Sequence, residues 1–387
     1  MGHKLQLKYG CNPHQTVASV EVPSDGALRI LNGTPSYINV LDALNGWQLV
    51  RELRTATGLA AAASFKHVSP AGAAVAGAIS ADEFEAFDIA EPPASAIANA
   101  YLRARETDPK SSFGDFVAVS ERVDRPLATL LKMVVSDGII APSFDGDALE
   151  ILCSKKSGRY LVLQIDPGYE PPEFEERTIF GFVLSQQRNS RLFDAGDIAD
   201  PVVGRLTDSG KLDLLVALTT LKYTQSNSIV CAVNGQTAGV GAGQQSRIDC
   251  TRIACHKSDV WRFRQHPAIR SLRFNPSVKR QDRINWRVRL IEGSLDAAES
   301  AELDNVLQTV PPAFNAALER PWLKTLPSIV LASDGYLPFP DNVREAHRHH
   351  VGIIAHPGGS TRDDVVTQTC RDLGITLVNT GVRAFHH

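Results

Sequence analysis

The chain has 387 residues, and at roughly 100–200 residues per domain that leaves room for two or three domains or one elaborated α/β unit. Apolar residues make up 43% and charged residues 21%, with 28 Gly and 22 Pro, which excludes collagen-like, coiled-coil and disordered classes. Forty Lys and Arg against 43 Asp and Glu give a net charge of −3, so neither nucleic acid nor an anionic membrane surface is the expected partner, and any anionic ligand needs a local site.

The longest apolar runs, such as Leu59–Phe65 and Val351–Ala355, are far shorter than the roughly 18 residues a spanning helix needs. The polar start Met1–Gln6 offers no secretory h-region. Cys11, Cys153, Cys231, Cys250, Cys255 and Cys370 make no disulfide framework, and no Cys-x-x-Cys pair is present. A cytoplasmic location without a membrane span is the expectation.

In chain order, Val40, Leu44, Trp47, Val50 and Leu53 fall at helical spacing and predict a helix over Asn39–Arg54, followed by a buried strand at Leu59–Phe65. That strand ends in Lys66-His67-Val68-Ser69-Pro70-Ala71-Gly72, and the Ala-rich run Ala73–Ile79 reads as a closely packed helix. A helix at Ala96–Arg105 and strands at Phe116–Ser120, Met133–Val135 and Leu161–Ile165 follow. In the second half, Leu212–Leu221 reads as a helix and Ser228–Val233 as a strand. Asn234-Gly235 is a strong hairpin signal, Gln236–Gly243 is the return strand, and Gln244–Cys255 opens a helix. The charged stretch Gln265–Trp322, broken by Pro267, Pro276, Pro311 and Pro312, reads as an excursion. Strands at Ile329–Ala332, Val351–Ala355 and Ile375–Asn379, separated by helices at Asp341–His350 and Thr361–Leu373, complete a wound α/β pattern.

Gly239–Gly243 lacks the Gly-x-Gly-x-x-Gly spacing and follows a hairpin, and no Walker-type loop occurs, so neither NAD nor ATP is expected. His347, His349 and His350 beside Arg344 and Arg348 read as a solvated helix face. Lys66-His67 sits where a buried strand ends, the place where open α/β sheets hold ligands, and a Lys beside a His can donate a proton while the imidazole accepts one. The polar run Thr224–Ser228 has two readings, a turn that satisfies its own backbone or a cradle for a ligand or ion, and composition does not choose between them.

Taken together, eight segments resemble one family: Lys8-Tyr9-Gly10 with Asn12–Gln15, Ser64–Gly72, Ser111–Phe116, Ser136–Ile139, Lys222–Ser228, Gly241–Ile248, Pro338-Phe339 with Asp341–Val343, and Arg383–His387. In this order they look like the transformylase part of the bifunctional aminoimidazole carboxamide ribonucleotide (AICAR) transformylase/IMP cyclohydrolase. The resemblance runs from Lys8 to His387 without the family's cyclohydrolase domain, so a stand-alone transformylase is the expectation.

The resemblance implies an α/β fold of two similar cytidine-deaminase-like three-layer halves without zinc. Residues 1–170 and 265–327 would form the first half, and 171–264 and 328–387 the second. It further implies a homodimer with active sites at the interface and formyl transfer from 10-formyltetrahydrofolate to the 5-amino group of AICAR. His67 matches the family's base, Lys66 the group that stabilises the transition state or supplies the proton, and Asn227 the side chain that holds the formyl oxygen. A lysine at its ordinary pKa of about 10.4 protonates a leaving nitrogen poorly, so burial of Lys66 is expected to lower it.

The nucleotide would meet Lys8, Tyr9, Gly114, Asp137, Arg247, Tyr336 and Arg383. The folate would meet Ile248, Asp341, Ser360 and Thr361, the last two opening a helix. Thr224, Ser226, Ser228 and Asp334 resemble the family's monovalent-cation site, with a structural potassium ion as the expectation. Lys8 replaces the family's usual Arg, Tyr336 a usual Phe, and Pro340 a charged residue, departures that touch affinity more than chemistry. A separate IMP cyclohydrolase is expected downstream. Two competing readings are a non-catalytic purine-nucleotide binder and a formyltransferase with another amino-imidazole acceptor.

Overall fold

The computed structural model describes residues 2–24, 26–89, 91–293, 295–309 and 314–387. Three strands open the chain: β1 (His3–Gln6), β2 (Ser19–Val22) and β3 (Leu28–Asn32). Then come α1 (Tyr37–Thr57), β4 (Ala61–Lys66), β5 (Ser69–Val75), α2 (Ala81–Phe87), α3 (Ala96–Glu106), β6 (Asp115–Val119), α4 (Arg125–Met133), β7 (Ser136–Ala141), α5 (Gly146–Ser154) and β8 (Leu161–Ile165). A hairpin of β9 (Phe174–Ile179) and β10 (Phe182–Gln187) leads to α6 (Asp208–Leu221), β11 (Ile229–Val233), β12 (Gln236–Gly241) and α7 (Arg247–Phe263). Four helices follow, α8 (Pro267–Arg270), α9 (Arg280–Glu292), α10 (Ala297–Val306) and α11 (Ala316–Glu319). The chain ends with β13 (Ile329–Ser333), α12 (Pro340–Arg348), β14 (Val351–His356), α13 (Asp363–Leu373) and β15 (Thr376–Asn379).

One eleven-stranded mixed sheet runs β15-β14-β13-β11-β12-β5-β4-β6-β7-β8-β3. Its topology repeats. In the first half β4 pairs antiparallel with β5 and β6, and β7 and β8 continue in parallel from β6. In the second, β11 pairs antiparallel with β12 and β13, and β14 and β15 continue in parallel from β13. The halves join where β5 meets β12, with Ala74 opposite Gln236.

Side chains of successive strand residues point to opposite faces, which sorts the core into layers. Ala61, Ala63 and Phe65 face α1 and α6, whose apolar sides share one core across both halves. Ala62, Val117 and Ile139 face α3, α4 and α5, while Ile229, Cys231 and Leu331 face α7, α12 and α13. The molecule is therefore an α/β protein with helices on both faces of its sheet.

The helix expected at Ala73–Ile79 is absent: Ala73–Val75 close β5, the return arm of a hairpin, and no helix follows before α2. The small residues of β5 let α3 press onto the sheet: a Cβ on Gly72 would lie 2.2 Å from the Ala104 carbonyl oxygen. The strand expected at Met133–Val135 is also displaced, since Met133 closes α4 and pairing begins at Ser136. Helix α1 starts earlier than its apolar spacing indicated, at a capping box in which the Ser36 hydroxyl accepts the Asn39 N–H while Asn39 Oδ1 accepts the Ser36 N–H. The excursion is helical and has its own core around Phe263, Trp286, Leu290 and Leu323. Pro311 and Pro312 lie outside the described residues. Buried Glu106 binds Arg264 and, at 2.6 Å, Arg280, while Arg283 reaches Asp88 at 2.7 Å. Burial opposes ionisation of Glu106, but Arg280 and Arg264 outweigh it and hold the carboxyl below its ordinary range. Among the described residues no helix is long and apolar enough to cross a membrane.

The histidine reading needs correction. His347 is exposed, but His349 is buried, with Nδ1 2.8 Å from Asp259 and Nε2 3.5 Å from Glu345, and His350 has left the helix at φ 60°. The helix ends at Arg348, so the His349 imidazole turns inward while His350 is half-buried.

Candidate active site

The hairpin of β4 and β5 delivers Lys66, His67 and Ser69 to one end of the sheet. Lys66 Nζ donates to the Phe113 carbonyl at 2.7 Å, which places it beside Gly114. Gly114 has φ 80°, and nothing lies within 4 Å of where its Cβ would be, so the backbone there is open to a ligand. The burial expected of Lys66 is found only in part: Phe65 is fully buried, but Lys66 is half-buried and His67 exposed, because the chain leaves the core at the turn.

Neither His67 nor Val68 has an easy backbone, with φ 56° and 58°. The turn is backed by Asp42 on α1, whose Oδ1 accepts the Val68 N–H at 2.6 Å. Burial pushes the Asp42 carboxyl up to about 6, against the opposing pull of the Val68 N–H and of His67; nearby Asp137 adds to the rise. Asp137 thus belongs to the same cluster, paired with Lys156. Lys8 and Tyr9 are tied by backbone to the start of α1: the Lys8 N–H donates to the Pro35 carbonyl at 2.9 Å and the Tyr37 N–H to the Tyr9 carbonyl at 3.0 Å.

The loop at 224–228 brings the second group. Asn227 Oδ1 accepts from Arg247 Nη2 at 2.7 Å, and because a guanidinium only donates, this fixes which end of the amide is oxygen. Asn227 Nδ2 donates to the Gln245 carbonyl at 3.1 Å, using one of its two hydrogens. Arg247 Nη1 binds buried Asp334 and, at 3.0 Å, Ser333 Oγ, so three of the five guanidinium hydrogens are committed to holding Asn227 and the sheet end. The loop is stitched to the C-terminus, where Ser226 and His386 exchange backbone and hydroxyl bonds at 3.0 Å each. Arg383 stacks its cation 4.6 Å from the Phe385 ring, and Tyr336 is half exposed.

The two groups approach each other within one chain: the Gln225 N–H points to Ser69 Oγ at 3.5 Å, and the Gly243 N–H donates to the Gln225 carbonyl at 2.8 Å. Of the four candidate cation ligands, Ser228 Oγ is buried without a hydrogen-bond partner, as an ion donor would be. Thr224 Oγ1 donates to the Thr220 carbonyl at 2.7 Å, and Asp334 already holds the Ser228 N–H at 2.9 Å and Arg247.

On the remaining side, Ile248 is half-buried in the first turn of α7, and α12 packs against that helix through a Thr251–Asn342 hydrogen bond of 2.9 Å. Asp341 is exposed in the first turn of α12, with Oδ1 accepting from Asn342. Ser360 and Thr361 do not open α13 as expected. Helix α13 begins at Asp363, and Ser360 Oγ instead accepts the Arg362 N–H at 3.2 Å in the preceding loop.

The sequence profile of the AICARFT/IMPCHase bienzyme family matches residues 1–257. The chain belongs to this family. Among its relatives, the bifunctional purine biosynthesis protein PurH of Clostridium acetobutylicum is 30% identical over 389 residues, covering 99% of this chain and 59% of the relative. The PurH proteins of Anoxybacillus flavithermus and Brucella anthropi are also 30% identical, over 390 and 386 residues, covering 99% and 98% of this chain and 59% and 58% of their own lengths. The chain thus spans about three-fifths of the length of these family members.

Sequence reading assigned no role to Ser69 or Phe113, although both lie inside the segments Ser64–Gly72 and Ser111–Phe116 that carry the resemblance, and it missed Asp42. The signal for Asp42 was an acidic residue beside Ala43 in an otherwise apolar helix stripe, 6% exposed in the fold.

Proposed function

We propose that this chain acts in purine biosynthesis by transferring the formyl group of 10-formyltetrahydrofolate to the 5-amino group of AICAR, leaving ring closure to a separate IMP cyclohydrolase. The observation that carries this reading is the meeting of the Lys66–His67 turn with the Asn227 loop in a chain of this family. The acceptor amine is conjugated to an imidazole bearing a carboxamide and is a weak nucleophile. It must lose a proton as it attacks, the formyl oxygen gains negative charge, and the folate nitrogen must be protonated as it leaves.

His67, exposed at the turn, takes the amine proton, directly or through the carboxamide. The second amide hydrogen of Asn227, on a side chain held by Arg247, meets the developing oxyanion. Lys66, half-buried against the Phe113 carbonyl, stabilises that charge and supplies the proton to the leaving nitrogen. Lys8, Tyr9, Gly114, Asp137, Tyr336 and Arg383 hold the nucleotide together with the free hydrogens of Arg247, and Ile248, Asp341, Ser360 and Thr361 hold the folate. Thr224, Ser226, Ser228 and Asp334 would hold a potassium ion, which would supply fixed positive charge to stiffen the Asn227 loop. A homodimer would cover the β9–β10 hairpin, which leaves Phe180 96% and Phe182 71% exposed.

The test mixes purified chain with AICAR and 10-formyltetrahydrofolate and follows tetrahydrofolate absorbance. Turnover is expected, with a fall of about 10²–10⁴-fold for His67→Ala. Absence of turnover by the wild-type chain overturns the reading, and formation of IMP without another enzyme overturns the division of labour.

A further inference from the structure

The residue assigned as base shares its turn with a residue whose own chemistry disfavours the backbone there. His67 and Val68 are the two central residues of the β4–β5 turn, and both have left-handed φ. Two-residue turns of this type favour Asn-Gly, and a β-branched residue such as Val68 is an outlier there. A restraint outside the turn is therefore required. Asp42 is placed to provide one: it is buried on α1 and takes the Val68 N–H at 2.6 Å, with the His67 N–H near enough to favour its charged form. Consecutive backbone N–H groups of a turn form a concavity suited to an anion.

The second half repeats the device independently. Asp213 on α6, 5% exposed, takes the Gly235 N–H at 2.6 Å, with the Asn234 N–H near enough to favour its charged form. There the turn is Asn-Gly, which adopts the same backbone readily, so the carboxylate is an accessory. At His67-Val68 it has strain to oppose. We propose that Asp42 is a positioning residue for His67, its carboxylate holding the turn in the left-handed form that presents the imidazole beside Lys66 and the Asn227 loop. This rests on the reading of His67 as the proton acceptor.

The test compares kcat for formyl transfer in wild type, Asp42→Ala, Asp42→Asn and the double variant Asp42→Ala/Val68→Gly. A folded D42A is expected to lose about 10–100-fold, the scale of a misplaced catalytic group. D42N keeps a carbonyl acceptor for the Val68 N–H and should stay within about fivefold of wild type. The double variant should recover most of the loss, because glycine enters left-handed backbone without penalty. A merely structural role for Asp42 would not be rescued this way. Wild-type kcat in D42A, or a folded double variant no faster than D42A, overturns the proposal. If D42A does not fold, a folded D42N that loses more than about tenfold overturns it and one near wild type upholds it. If the wild-type chain shows no turnover, the functional reading fails instead. The restraint is then read from hydrogen exchange at the residue 68 amide, which must be faster in D42A, or in the double variant if D42A does not fold, than in wild type for the hold to stand.

Discussion

At the first central hairpin turn, His67 and Val68 hold φ of 56° and 58°; at the second, Asn234 and Gly235 hold 54° and 73°. Each turn closes the hairpin of its half that stands nearest the junction between the halves, and each receives a buried aspartate from a helix on the same face of the sheet. What they face differs. The Gly235 carbonyl accepts the Val75 N–H at 2.9 Å, and the Asn234 carbonyl accepts from the buried Arg103 guanidinium, so the second turn is a joint between the halves. The first turn opens toward Lys66 and the Asn227 loop. Since the same architecture closes with Asn-Gly, the fold does not demand His-Val, and strain at the first turn is what the role proposed for His67 would explain.

Transplanting the relaxed turn gives the largest expected effect. His67→Asn with Val68→Gly should lower formyl transfer by about 10²–10⁴-fold while raising stability toward urea, as non-glycine left-handed residues cost about 1–3 kcal/mol each. Loss of stability in this variant would mean that His67-Val68 is relaxed, and the comparison would break. The reverse change is smaller. Gly235→Val places a β-branched residue at φ 73°, with its Cβ 3.0 Å from Val75 Cγ2 and 3.3 Å from Leu212 Cδ2. Stability should fall by about 1–3 kcal/mol, with kcat per folded molecule unchanged. A drop in kcat would show that the second turn communicates with the site.

Much of this architecture is legible in the sequence, for physical reasons that also mark the limits. Apolar spacing exposes α1, and the Asn234-Gly235 pair exposes the second hairpin because those residues have the conformational freedom the turn needs. The first hairpin hides for the converse reason: His67-Val68 carries no turn signal, so the alanine run beyond it reads as a helix. The β9–β10 hairpin hides as well, since none of its residues is buried in the chain and no buried face imprints an alternation. Motifs locate Lys66, His67, Asn227 and Arg247, but the bond from Arg247 to Asn227 and the support from Asp42 arise only when helices and loops distant in sequence are packed together.

The smallest expected effect concerns the two aspartates themselves. Burial pushes Asp213 up to about 6, against the N–H groups of Gly235 and Asn234 and the charge of Arg103, and Asp42 is likewise pushed up to about 6. An unfolded aspartate titrates near 3.9, so the native state holds these protons more tightly. The stability linked to each is fully present below about pH 4 and is lost as pH rises through 6, with a slope of at most about 1.4 kcal/mol per pH unit per proton. Asn at position 213 keeps an acceptor for the Gly235 N–H and does not titrate. Asp213→Asn should therefore flatten the fall in stability between pH 4 and 6 by up to one proton, measured by urea unfolding at several pH values. Asp42→Asn should flatten it similarly. The electrostatics of the two turns are thus expected to match, while a change in rate follows only from removing the acceptor at Asp42. An unchanged slope in Asp213→Asn would overturn the shared electrostatics, and a loss of kcat in that variant would overturn the division between a turn that joins and a turn that reacts.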